Sequence, residues 1–226
     1  MNDHAVPALD PTTVRRHPSG LLLVAQVVAV LAYPFLDSST AGRAILGVVQ
    51  IAIVMLAIYA VRRTPTLTLV VAVLGPLAMG FTVMESVWQD TGWIVLASAI
   101  VHAPFYFYVS YAMIRYLFHD DRVTRDELFA TAAAFTVVAW GFAYVFAGVQ
   151  VLEPGSFAGT GGTTDRTWFE LLYLSFAQLT SVGLSDVVPV GAHARSVAMI
   201  EQVAGVFYIA LVVSRMVGLT VIRKAA

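Results

Sequence analysis

Long apolar stretches fill most of this sequence, and they decide what the chain can fold into. A helix needs roughly 20 apolar residues to cross a hydrocarbon core about 30 Å thick. The stretches that approach this length are residues 21–36, 44–61, 67–84, 93–117, 128–148 and 197–222. The chain is 59% apolar and 12% charged, whereas soluble domains are about 45–50% apolar and about 25% charged. The sequence predicts an all-α integral membrane protein with six transmembrane helices.

The basic residues of the short loops predict the orientation of these spans, because Lys and Arg accumulate in cytoplasmic loops. One set of loops and chain ends holds Arg15, Arg16, Arg62, Arg63, Arg115, Arg122, Arg125, Arg223 and Lys224. The opposite set holds Arg43, Arg166 and Arg195. We therefore expect a multi-pass protein of the plasma membrane with both termini in the cytoplasm, residues 1–20 forming the cytoplasmic N-terminal segment.

Composition argues against several classes of function. A net charge of −1 and scattered basic pairs are unlike a nucleic-acid-binding surface. The absence of cysteine removes thiolate metal sites and cysteine nucleophiles. No Gly-x-Ser-x-Gly or His-Glu-x-x-His motif occurs. We therefore expect no enzymatic activity, no cofactor and no small-molecule substrate.

The segment between the last two spans, residues 149–196, is too long for a simple turn. Its first part, residues 153–164, is rich in glycine and predicts a flexible outer loop. Residues 169–180 form an apolar helical pattern of about 18 Å, too short to cross a membrane. Residues 181–189 are non-helical in pattern, and such backbone at membrane depth must line a water-filled path or be buried in protein. The segment predicts a re-entrant helix followed by a pathway-lining loop.

The residues of this segment resemble a known pore. Residues 172–189 read Leu-Tyr-Leu-Ser-Phe-Ala-Gln-Leu-Thr-Ser-Val-Gly-Leu-Ser-Asp-Val-Val-Pro, and Arg195, Glu201, Gly205 and residues 214–218 follow on the last span. This order resembles the pore module of the tetrameric potassium-channel superfamily, whose Thr-Val-Gly-Tyr-Gly-Asp filter replaces an ion's hydration shell with carbonyl oxygens. The resemblance implies a pore domain over residues 119–226, with outer helix 128–148, pore helix 169–180, filter 181–186 and inner helix 197–222. It also implies a homotetramer in a lipid bilayer.

The resemblance also assigns roles, position by position. The implied ion ligands are Ser181, Val182, Gly183 and Leu184. The implied filter supports or outer-mouth residues are Thr180, Ser185, Asp186 and Glu201. The candidate ions are potassium and sodium, with calcium a further candidate because Ser185 and Asp186 bring hard oxygen ligands to the mouth. Anchoring of the filter to its helix is the alternative role of Asp186.

The inner helix carries two further assignments. Gly205 resembles the family's gating hinge, where a helix can bend, and close packing of a small residue against a neighbouring helix is the alternative. Helical spacing places a set of aliphatic residues on the predicted pore-lining face. These residues are Val206, Ile209, Val213 and Val217.

Two filter positions depart from the family. Leu184 lacks the tyrosine hydroxyl that tethers the filter, and Ser185 replaces a glycine. If Ser185 needs a positive φ, it costs on the order of 1 kcal/mol per chain. We therefore expect a cation channel with weak or no discrimination between potassium and sodium, and we expect Leu184→Tyr with Ser185→Gly to raise potassium preference. A potassium-selective channel and a poorly conducting regulatory subunit are the alternatives.

Residues 21–118 predict a four-helix membrane domain that differs from a voltage sensor. Voltage sensing requires repeated arginines within a span. The span over residues 93–117 has no arginine before Arg115, so we expect no arginine-based voltage sensor. His102 in the same span is either a proton-sensitive switch or a hydrogen-bonded packing residue.

Overall fold

Helices account for most of the residues that the structure describes. The computed structural model describes residues 18–36, 39–61, 68–88, 91–117, 125–160 and 165–225. The helices are α1 (Pro18–Leu36), α2 (Thr40–Val61), α3 (Thr68–Val87), α4 (Gly92–Leu117), α5 (Arg125–Leu152), α6 (Trp168–Leu179) and α7 (Ala192–Ala225). Two short strands, β1 (Phe157–Ala158) and β2 (Val188–Pro189), flank α6. Most of the predicted N-terminal segment 1–20 lies outside the described residues.

Within the described ranges, five helices are long and apolar enough to cross a membrane. Their candidate spans are Ser19–Leu36, Val70–Val87, Gly92–Arg115, Leu128–Leu152 and Ala192–Arg215. In α2 the apolar stretch found within the described residues is shorter, Ile45–Tyr59. These helices fit an all-α, multi-pass membrane protein.

Helix α5 lies at the centre of the packing, where it contacts α1, α4, α6 and α7. Its buried face is rich in alanine, including Ala130, Ala133 and Ala134. Small residues let neighbouring helices approach closely in membranes. The Ser110 hydroxyl of α4 accordingly donates to the Ala134 carbonyl oxygen at 3.2 Å. The alanine face therefore explains why α4 and α5 share the most extensive helix contact.

A strand pair closes the base of the segment that contains α6. Phe157 pairs with Pro189 and Ala158 with Val188, in antiparallel register. The Ser156 carbonyl oxygen also accepts from the Val190 N–H at 2.8 Å. Phe157 is buried in a cluster with residues of α5, α6 and α7. The expectation of a flexible outer loop over residues 153–164 is therefore wrong for residues 157–158, because a non-local strand pair and a buried aromatic ring hold them. Residues 161–164 lie outside the described residues.

Candidate ion pathway

Local hydrogen bonds fix the start of α6. Thr167 is the N-cap, and its hydroxyl accepts from the Glu170 N–H at 3.3 Å. The Glu170 carboxylate accepts from the Thr167 N–H at 2.7 Å, which completes a capping box. Arg166 forms an ion pair with Glu170 at 3.6 Å. These bonds satisfy backbone donors that a helix start leaves unpaired.

The chain folds back on α6 as soon as the helix ends. The Ser181 N–H donates to the Gln178 carbonyl oxygen at 2.9 Å, and the Gly183 N–H donates to the Ala177 carbonyl oxygen at 3.0 Å. Both residues have left-handed backbone, with φ of 58° at Ser181 and 70° at Gly183. The predicted filter therefore begins as a tight turn against the C-terminal end of α6.

Among the described non-glycine residues, positive φ occurs at Ser181 and not at Ser185. The Ser185 N–H donates to the Gly183 carbonyl oxygen at 3.1 Å, and its hydroxyl accepts from the Val187 N–H at 3.1 Å. Ser185 therefore does not pay the cost that a positive φ would bring, because a local turn gives it a different backbone conformation. A left-handed non-glycine residue costs roughly 1–2 kcal/mol, and here that cost falls on Ser181.

The four predicted ion ligands lie together on one exposed turn. Residues 181–184 are all exposed on the single chain. Among the described residues, no N–H donates to the carbonyl oxygens of Ser181, Val182 or Leu184, whereas the Gly183 oxygen accepts from Ser185. Three carbonyl groups are thus free to bind water or a cation.

Glu201 of α7 contacts α6 through Ser175. Its side chain is fully buried and is hydrogen-bonded with the Ser175 hydroxyl. Ser175 also donates to the Ala139 carbonyl oxygen of α5 at 2.7 Å. Beside this contact, the Gln202 amide donates to the side-chain oxygen of Gln178. Two polar side-chain contacts therefore join α7 to α6 near the filter.

One face of α7 packs against the pore helix. Its buried positions, spaced three and four residues apart, are Ala194, Ala198, Glu201 and Gly205. A Cβ atom at Gly205 would overlap the Leu179 carbonyl oxygen, so this glycine permits backbone-to-backbone approach. The close packing that was the alternative role of Gly205 is present in the structure. The hinge role of Gly205 stays a prediction.

The predicted pore-lining residues lie away from that packed face. Val206, Ile209 and Val213 are exposed on the single chain, and the side chain of Val217 lies outside the described residues. Phe207 and Leu211 are exposed as well. The unpacked surface of α7 is therefore wider than the predicted pore-lining row.

Residues around the outer mouth hold the chain after the filter turn. Asp186 is exposed, and its carboxylate accepts from the Thr160 hydroxyl at 3.5 Å. The Arg195 guanidinium donates to the Pro189 carbonyl oxygen at 3.2 Å. In the described part of the chain, no group of three or more His, Asp or Glu side chains comes together to hold a metal ion. Calcium binding at this mouth stays a prediction.

The pathway combines a short capped helix, an exposed carbonyl turn and a long packed helix. Residues 129–221 match a protein-family model described as ion channel. The match begins in α5 and ends in α7, so it includes the pore helix and the filter turn but not the first four helices. No curated protein and no solved structure matches the chain. The family match supports the resemblance to the potassium-channel superfamily and favours a channel-like function over catalysis.

Proposed function

We propose that this chain is one subunit of a homotetrameric cation channel that conducts passively through the carbonyl turn of residues 181–184. The observation that carries the proposal is the exposed left-handed turn at the end of α6, with three carbonyl oxygens that accept no N–H from the described residues. Carbonyl oxygens are the groups that replace a cation's water in filters of this type. The match of residues 129–221 to an ion-channel family supports the same proposal.

A single chain supplies only one side of such a filter, which is why we propose four chains. The exposed turn and the unpacked surface of α7 are available for contact with further copies. We further propose six membrane spans, a re-entrant α6 and cytoplasmic termini, as the loop charges indicate.

Mass measurement of the detergent-solubilised protein tests the assembly. We expect a homotetramer, because one carbonyl turn per chain cannot surround an ion. Channel activity from a preparation that contains only monomers or dimers would contradict the proposal.

Weak selectivity follows from how the outer turn is held. Leu184 is 74% exposed on the single chain and has no hydroxyl to bond with the pore helix. The hydrogen bonds described for Leu184 and Ser185 are those of Ser185 with Gly183 and Val187, and none of them reaches the pore helix. An outer filter with so few attachments orders its carbonyls weakly. We therefore propose little discrimination between potassium and sodium.

Reversal potentials in planar bilayers, measured with potassium and sodium gradients opposed, test this selectivity. We expect a permeability ratio near one for the unmodified channel and an increased potassium preference for Leu184→Tyr, since the new hydroxyl supplies a tether. A tenfold change in the ratio requires only about 1.4 kcal/mol.

Ser185→Gly is the matched control for the tyrosine substitution. Because Ser185 does not have left-handed backbone, we now expect this variant alone to leave the reversal potential unchanged. Strong potassium selectivity in the unmodified channel would contradict the proposal. A tetramer without any conductance would instead favour the regulatory-subunit alternative.

A further inference from the structure

A cavity of about 650 Å³ lies between the first helices and the start of the pore helix. Its lining comes from α1 to α6 and from residues 165–167, and includes no described residue of α7 or of the filter turn. Small-molecule sites typically have volumes of roughly 300–1,000 Å³. The cavity is therefore large enough for a ligand and separate from the proposed ion pathway.

Aromatic rings form one wall of this cavity. Trp140, Tyr144 and Trp168 line it, and the Trp168 ring centroid lies 5.4 Å from that of Trp140 and 5.6 Å from that of Tyr144. Tyr33 stacks on Phe169 at 4.3 Å beside them. The face of an aromatic ring attracts cations. The wall thus has the chemistry that binds an ammonium group.

A carboxylate without a basic partner lies in the same lining. Glu85 of α3 receives a hydrogen bond from Ser98, and no described basic side chain lies within ion-pair distance of it. The basic residue of the lining, Arg166, instead pairs with Glu170 at 3.6 Å. A cation in the cavity would therefore meet a carboxyl group that has no basic partner among the described residues.

The position of Glu85 is held by a buried polar network. Ser98 lies 2.9 Å from the His102 Nδ1 atom, and the Thr82 hydroxyl lies 3.1 Å from the Nε2 atom. The His102 ring stacks on Tyr144 at 4.3 Å. The packing role that was one alternative for His102 therefore extends to the cavity wall.

Two hydrogen-bond donors in the lining lack acceptors. The indole N–H groups of Trp140 and Trp168 are buried and have no hydrogen-bond partner in the part of the chain that the structure describes. Leaving a buried donor unpaired is unfavourable. A ligand with an acceptor oxygen would satisfy one of these groups.

We propose that this cavity binds a small organic cation, in which an ammonium group meets Glu85 and the aromatic wall and an oxygen atom accepts from an indole N–H. The ligand would lie against Trp168 and Phe169, the first residues of α6. Binding there stabilises the outer end of the pore helix. This inference does not depend on conduction, because its site shares no described residue with the filter turn.

A matched pair of probes isolates the ammonium charge. Choline and 3,3-dimethylbutan-1-ol have the same shape and hydroxyl group, but only choline is charged. We would titrate each into the purified full chain in dodecyl maltoside and measure binding by isothermal titration calorimetry. We expect choline to bind at least tenfold more tightly than the neutral alcohol. Equal affinities, or no binding of either probe, would overturn the proposal.

Variants then connect the charge preference to the cavity. We expect Glu85→Gln, which keeps a hydrogen-bonding side chain, to reduce choline affinity to that of the alcohol. Glu153→Gln is the matched control, because Glu153 is not a lining residue and contacts His193 instead. An unchanged choline preference in Glu85→Gln would overturn the proposal.

A second variant tests the oxygen contact without touching the carboxylate. Trp168→Phe removes an indole N–H and keeps an aromatic ring, so we expect it to weaken the binding of both choline and the alcohol, with choline still the tighter ligand. If both probes bind this variant and Trp140→Phe as tightly as they bind the unmodified protein, neither indole N–H contacts the ligand. That result would overturn the proposal.

The same ammonium chemistry occurs in free amines and in lipid headgroups. Titration of dihexanoylphosphatidylcholine beside choline distinguishes these sources. Tighter binding of the short-chain lipid, abolished by Glu85→Gln, assigns the cavity to a headgroup. Tighter binding of choline assigns it to a free amine.

Discussion

At the scale of single residues, Gly205 determines how closely two helices approach. It lies where α7 crosses the end of α6, and a Cβ atom there would overlap the Leu179 carbonyl oxygen. That oxygen belongs to backbone, which cannot rotate away as a flexible side chain could. The residue immediately precedes the predicted pore-lining Val206, so the contact also fixes which side of α7 remains unpacked.

We expect Gly205→Ala to destabilise the protein by about 1–3 kcal/mol, the usual cost of inserting a group into packed space. The measurement is the apparent melting temperature in detergent, where we expect a decrease. Gly80→Ala is the matched control, since a Cβ at Gly80 meets nothing within 4 Å, and alanine is the better helix former. Equal melting temperatures for the two variants would contradict the packing described for Gly205.

The sequence nominates filter residues but does not predict their conformations. The order of the segment singles out Ser181 to Leu184, and in the structure these residues lie on one turn. The left-handed backbone at Ser181 accompanies hydrogen bonds from the turn back to α6. Such bonds depend on how the turn packs against the helix. The order of residue types along the sequence does not predict that packing.

At the scale of elements, α6 depends on its cap because it is only 12 residues long. Short helices gain little from their own backbone bonds and rely on ends and packing. Its start has a full capping box, and its other end meets α7 through Glu201, Gln202 and Gly205. The helix that positions the filter turn is thus fixed at both ends.

We expect Thr167→Ala to lower stability by about 1 kcal/mol, because it removes the hydroxyl that accepts from the Glu170 N–H. Thr167→Ser keeps an accepting hydroxyl and should melt at the temperature of the unmodified protein. Both variants are compared by melting in detergent. A Thr167→Ser variant as destabilised as Thr167→Ala would show that the methyl group, and not the cap, matters at this position.

Helix positions were predictable to within a few residues because hydropathy reports them directly. The predicted span 67–84 corresponds to α3, Thr68–Val87, and the predicted short helix 169–180 corresponds to α6, Trp168–Leu179. The strand pair gave no such signal, since two-residue strands are too short to show alternation. The cavity was also invisible in sequence, because its lining gathers side chains from six helices.

At the scale of the whole molecule, the first four helices contact the rest of the described chain chiefly through α5. The core between α4 and α5 includes Tyr106, Trp140 and Tyr144, which pack together as aromatic rings. Helix α4, the fourth of the first four, carries one basic residue in its last turn, Arg115.

We expect the open probability of the proposed channel to vary only shallowly with voltage. Moving one elementary charge through 100 mV contributes about 2.3 kcal/mol, and α4 has no arginine before Arg115 to supply it. Single-channel recordings over a range of potentials check this. A steep response that requires several gating charges per chain would contradict it.

The strand pair at the base of the pore segment has a consequence for where that segment lies. Because Ala158 lies opposite Val188, the segment between them begins and ends at nearly the same place beside the helices. Closing a loop costs conformational entropy that rises only slowly with its length. Here the hydrogen bonds between the two strands, which lie at the ends of the loop, offset part of that cost. The strand pair thus sets where the segment starts and ends relative to α5 and α7, while the contacts of α6 with those helices set its position between the two ends.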